Sequence, residues 1–237
     1  MQTTGQNTTA QPPQASRPTP GLWLKAPPEL QAERLDSLSP AELIRILQDP
    51  KSTDFEKAKS CQRLAVAGTP EAVPALAAHL TDEHLGVYAR FGLQPINHPS
   101  VDDALRNALS RAKGGPLVGI INSIRYRRDT KAVSALAKLL SSDDPPVAQA
   151  AAWALGTISG PGSAKALQDG LSKTKGPVRM AVAGAGLTCA EGLLAQGERS
   201  LALSLYGVLS GADIPKPVRL AAMRGTIAAE ISLSRPR

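Results

Sequence analysis

Leu85, Pro116, Val147 and Val178 stand 31 residues apart at each step, and Val218 follows after a step of 40. Each opens a stretch of one pattern: LGVYARFGLQPI, PLVGIINSIRY, VAQAAAWALGTI, VRMAVAGAGLTC and VRLAAMRGTIAA. A second series is interleaved with the first. Leu80, Leu109, Leu140 and Leu171 end the stretches AVPALAAHL, VDDALRNAL, AVSALAKLL and SAKALQDGL, at steps of 29, 31 and 31. Two series sharing a period of about 30 residues describe a repeat built from two elements, and such a repeat buries its apolar face only by stacking on its neighbours.

Both elements read as helices. In the first type Val133, Leu136, Leu139 and Leu140 share one face, with Lys131 and Lys138 outside it. The second type is apolar almost all round, as in VAQAAAWALGTI, which places it between neighbours on several sides. The first type therefore forms an outer layer and the second an inner one. Six helix pairs are expected, over 39–68, 70–97, 100–128, 130–160, 162–193 and 198–232. A loop or extra turn is expected at LLAQGERS before the last pair. Aromatic residues make up only 3%, so Ala, Leu and Val carry the core and helices can approach closely.

Helix starts are punctuated. Ser39 with Glu42, Thr53 with Glu56 and Ser100 with Asp103 have the spacing of capping boxes. Thr69-Pro70-Glu71 opens the second outer helix. Pro146, Pro177 and Pro217 each precede the Val that opens an inner helix, where a missing N–H leaves no bond unmade. Gly68, Gly156 and Gly160 fall near inner-helix ends and suit left-handed caps. Strand alternation and hairpin-turn signals are lacking.

The segment from Val147 to Ile158 follows Val-x-x-Ala-x-x-x-Ala-Leu-Gly-x-Ile, preceded by the turn Asp143-Asp144-Pro145-Pro146. With Ala132-Val133-Ser134-Ala135-Leu136 before it, and the Val-Arg pairs at Val178-Arg179 and Val218-Arg219, it resembles a HEAT repeat. The resemblance covers roughly residues 39–232 and is closest to bacterial HEAT proteins of the phycobilin-lyase-like, armadillo-like type. It implies an all-α, right-handed α-solenoid of about six helical-hairpin repeats over residues 29–232. An N-terminal tail over residues 1–28, rich in Thr, Gln and Pro, is expected to be disordered, and a short tail follows over 233–237. Trp23, in Gly21-Leu22-Trp23-Leu24, is expected to cover the first repeat.

The N-terminus lacks the basic start and apolar centre of a signal peptide, and no run of 18 apolar residues suggests a membrane span. The cytoplasm is the default expectation. Cys61 and Cys189 stand at apolar positions in different repeats and read as buried free thiols. His79, His84 and His98 are followed by Leu, Leu and Pro. The His-Glu dipeptides of di-iron HEAT hydroxylases are therefore missing, and neither metal, cofactor nor catalytic residues are expected. Phosphate-cradling glycine loops and nucleophile elbows are absent too. Gly184 and Gly186 read as close helix packing, and Trp153 as core, so the aromatic equipment of HEAT-like DNA glycosylases is wanting.

Charge is uneven. Residues 29–100 carry seven basic and ten acidic groups, and residues 101–237 carry eighteen and ten. Arg125, Arg127, Arg128 and Lys131 cluster at one turn, and Lys175, Arg179, Lys216 and Arg219 recur near later inner-helix starts. These eight are the candidate partner-binding residues. Arg179 and Arg219 have a competing structural role, pairing with turn acids such as Asp144 to make a ladder between repeats. The functional expectation is a non-enzymatic scaffold or adaptor that takes a protein partner on the inner-helix face and the inter-repeat turns. Two alternatives stand beside it. One is an accessory subunit for tetrapyrrole attachment, as the lyase-like resemblance implies. The other is nucleic-acid binding through the basic C-terminal half.

Overall fold

The computed structural model describes residues 35–231. The expected N-terminal tail, Trp23 and the segment 233–237 lie outside the described residues. From Pro40 onward the chain forms twelve α-helices in six hairpins, with no strand among the described residues. The outer helices are α1 (Pro40–Gln48), α3 (Val73–Ala77), α5 (Pro99–Leu109), α7 (Val133–Leu139), α9 (Pro161–Lys173) and α11 (Arg199–Gly211). The inner helices are α2 (Asp54–Ala67), α4 (Gly86–Leu93), α6 (Gly114–Arg127), α8 (Pro145–Ile158), α10 (Gly176–Ala195) and α12 (Lys216–Ile231). Short 3₁₀ turns at Pro70–Ala72 and Thr130–Ala132 lead into α3 and α7. Each inner helix packs on the next, and each hairpin closes on itself, so the whole is an α-solenoid.

One core runs the length of the stack, from Leu43 in α1 to Ala222 in α12. The four leucines of the outer series, Leu80, Leu109, Leu140 and Leu171, are all buried. Leu136 of α7 and Leu155 of α8 are fully buried and join the two layers of the fourth hairpin. The small residues set the spacing between inner helices. A Cβ on Gly156 of α8 would stand 2.7 Å from the Ala185 carbonyl oxygen of α10, so only glycine lets these backbones approach. A Cβ on Gly186 would stand 3.2 Å from the Leu209 side chain of outer helix α11, a tight contact but one that a leucine can yield to.

The capping boxes at Ser39 and Thr53 form. Glu42 and Glu56 each accept the cap residue's backbone N–H, at 2.8 and 2.9 Å, while the cap side chains accept the Glu N–H groups. The box at Ser100 does not. Helix α5 starts at Pro99, and His98 is its cap, its ring nitrogen accepting from the Ser100 N–H at 3.3 Å. Proline sets that start, because its ring fixes φ and it fits the first helical position. Of the three glycines expected at helix ends, Gly160 has a positive φ, 101°, whereas Gly68 has φ −73° and Gly156 is interior packing; positive φ is also found at Arg128 (52°), Ser159 (58°), Gly114 (50°), Gly176 (53°) and Gly197 (81°).

The extra length before the last hairpin is helix rather than loop, since α10 continues to Ala195. This 20-residue helix is long and apolar enough to cross a membrane, contrary to the sequence expectation. Its apolar surface has another use here, for it packs against α8, α9, α11 and α12.

Cys61 and Cys189 are buried and unbridged. Burial pushes the Cys61 thiol up to about 12 and the Cys189 thiol up to about 11, so neither holds a thiolate near neutrality. Both should resist a thiol-disulfide reagent at pH 8 in the native protein and react together once urea unfolds it. Fast labelling of either in buffer would show its hairpin opening locally.

Candidate inner-face binding site

The amphipathic rule leaves large apolar side chains on a folded surface only sparsely. Here eleven are exposed among the described residues, and ten of them lie on inner helices: Val66, Val87, Phe91, Tyr126, Trp153, Met180, Leu220, Met223, Ile227 and Ile231. Only Val208 belongs to an outer helix.

Trp153 departs from expectation. It is 41% exposed rather than core. The 31-residue register explains it, for Phe91, Asn122, Trp153 and Gly184 are equivalent positions on successive inner helices. That position faces outward, and the bare Gly184 gives the indole a place to lie, 3.0 Å from where its Cβ would be. Residues apolar on every side of α8 hid which side was open.

Two grooves flank α4 and share Val87 and Phe91. The first, of about 570 Å³, lies against α2 and is lined by Lys59, Gln62, Arg63, Val66 and Tyr88, with Asp36 at its edge. Arg63 holds Asp36 at 3.5 Å and donates to its carbonyl oxygen at 2.8 Å. The second, of about 410 Å³, lies against α6 and is lined by Arg90, Gln94, Asn122, Ser123, Arg125 and Tyr126. The N-terminal half is acidic overall, yet among the described residues the only acid lining these grooves is the paired Asp36. Its other acids serve elsewhere, Glu42 and Glu56 as helix caps.

The basic cluster at Arg125–Lys131 separates in space. Arg125 faces the second groove. Arg127 turns inward, pairs with Asp102 of α5 and donates to the Ile96 carbonyl oxygen at 3.2 Å, with 12% of its side chain exposed. Arg128 caps α6 in the left-handed conformation, and its side chain and that of Lys131 are exposed. A second pair, Arg106 with Asp129, ties α5 to the turn before α7. A ladder of charges between repeats thus exists, but not where expected. Among the described residues neither Arg179 nor Arg219 is ion-paired, and Asp144 holds neither. Arg179 leans forward over the next turn instead, lining a hollow of about 320 Å³ with Lys175, Asp213 and Pro215, and Lys216 and Arg219 are exposed.

The histidines fill separate structural posts. His79 Nε2 lies 2.9 Å from the Leu47 carbonyl oxygen, His98 caps α5, and His84 sits in the turn before α4. No three His, Cys, Asp or Glu side chains among the described residues converge as a metal would require.

Sequence reasoning passed over Arg90. Its register equivalents in the next three inner helices are Ile121, Ala152 and Ala183, all fully buried. A guanidinium at a core position was the signal in the repeat alignment.

Stacked helical hairpins of one repeating pattern define an α-solenoid. Residues 103–187 match the family model for HEAT repeats, so the middle of the stack carries HEAT repeats. A search of curated proteins finds no match.

Proposed function

We propose that this chain is a non-catalytic scaffold that takes a polypeptide partner along its inner-helix face. The observation that carries the reading is the segregation of exposed large apolar side chains to the inner helices, ten of eleven. Aromatic and Met side chains are the residues that anchor protein interfaces. The grooves on either side of α4 give such anchors walls on both flanks. HEAT repeats commonly serve as protein-interaction scaffolds, which agrees with this. In this reading Arg128, Lys131, Lys175, Arg179, Lys216 and Arg219 supply positive charge at the inter-repeat turns that steers an acidic partner during encounter.

A photo-crosslinking amino acid placed at Phe91 should capture a protein from native lysate, and the same group at Lys165, an exposed position on outer helix α9, should not. Tyr126→Ser with Val87→Ser, beside the crosslinker, should sharply reduce capture while leaving the melting temperature within a few degrees. Capture from Lys165 alone, or material from Phe91 that nuclease removes, would overturn the proposal. A bilin absorbance band co-purifying with the chain would favour the tetrapyrrole reading instead.

A further inference from the structure

The groove between α4 and α6 holds a charge without a counter-charge. Arg90 projects from α4 across the helix joint to α6, where a Cβ on Gly119 would come 2.2 Å from its guanidinium carbon. Glycine at 119 is therefore what admits the Arg90 head group. In the next three inner helices this register carries a buried Ile or Ala. Two nearby arginines are paired, Arg106 with Asp103 and Asp129, and Arg127 with Asp102. Among the described residues Arg90 has no acidic partner, and burial pulls it below the usual guanidinium range. A half-buried cation with no acid beside it is unfavourable alone and becomes favourable when an anion arrives with good geometry.

The surroundings choose the anion. Arg125 adds a second guanidinium to the groove, while Gln94, Asn122 and Ser123 add neutral hydrogen-bonding groups. Phe91 and Tyr126 stand exposed beside them, at 56% and 69%. Two guanidinium groups between two aromatic rings fit a planar carboxylate carried next to apolar side chains.

We infer that the α4–α6 groove is a carboxylate-reading pocket, in which Arg90, admitted by Gly119 and assisted by Arg125, binds an Asp or Glu side chain of the partner polypeptide while Phe91 and Tyr126 hold its apolar neighbours. The inference rests on the scaffold reading and makes it specific: the partner segment is acidic and apolar, not basic.

The test is selection of a displayed random dodecapeptide library on the full chain, followed by anisotropy of the enriched peptide and of its analogue with Asp or Glu changed to Asn or Gln. Enriched peptides should carry an acid beside aromatic or aliphatic residues. Arg90→Met should leave the fold intact and raise or preserve the melting temperature, since the register is apolar in the neighbouring hairpins. It should nevertheless weaken the peptide about tenfold or more. Neutralising the peptide carboxylate should weaken it equally, and the two changes together should add little, as for groups in direct contact. Gly119→Val keeps the charge but displaces it, and should reproduce the loss. If the peptide is lost on Phe91→Ser but is indifferent to Arg90→Met, the carboxylate pocket is wrong and the inner-face scaffold stands. If no peptide enriches, or those that do ignore Phe91→Ser and Tyr126→Ser, both fall. Binding of a twelve-residue oligothymidylate at physiological salt, lost on Arg90→Met, would give the pocket to phosphates and overturn the inference.

Discussion

Leu155→Ala should destabilise the protein by about 2–5 kcal/mol, the range for deleting a fully buried leucine whose site cannot collapse. Leu155 has no exposed surface and belongs to the same core as Leu136 of α7. The site has little freedom to close over the void. One side of α8 is fixed by the backbone contact of Gly156 with Ala185, so the helix cannot shift inward without driving those atoms together. Urea unfolding followed by helical circular dichroism measures the effect. The change should appear in the midpoint. A fall in slope would show the stack parting into separately melting segments, as repeat proteins can. A loss below about 0.5 kcal/mol is the behaviour of a surface site and would contradict the seating of α8.

Asp129→Ala should destabilise by about 2–3 kcal/mol, less than the roughly 3–5 kcal/mol of a fully buried pair, because Arg106 keeps contact with water. The Asp129 side chain is 7% exposed and that of Arg106 20%. Asp129 also accepts the Lys131 N–H at 3.0 Å, so the change removes a turn cap together with the ion pair. Asp103, the other partner of Arg106, is 64% exposed. Asp103→Ala should therefore change stability by no more than about 1 kcal/mol, as exposed pairs do. The contrast separates a tie between hairpins from ordinary surface charge. Combining Asp129→Ala with Arg106→Met should recover part of the loss by removing the stranded cation. Equal effects at Asp103 and Asp129 would mean that the turn before α7 is not held by this pair.

The order of the twelve helices, their division into outer and inner layers and most of their boundaries follow from periodicity alone. A 31-residue repeat with one apolar face per outer helix admits one stacking solution, and local capping chemistry at Ser39 and Thr53 acts within a single turn. The buried cysteines follow from the same pattern, since each lies in line with the apolar positions of its helix. The site was less legible. Trp153 lies on a helix apolar on all sides, so hydrophobic pattern could not say that its side is open; the empty Cβ space at Gly184 on the next helix decides that. Arg127 looked like one member of an exposed basic run, but Asp102, 25 residues earlier, draws it inward. Arg179 and Arg219 looked like ladder residues, yet neither pairs with Asp144, and Arg179 lines a hollow with Asp213 of the next turn instead. Arg90 stood in plain view as a break in the register. The sequence determines which way each residue points from its own helix axis. How close the neighbouring helix comes, and whether a charge meets its opposite there, is set by side chains a full repeat away, and only the packed stack brings them together.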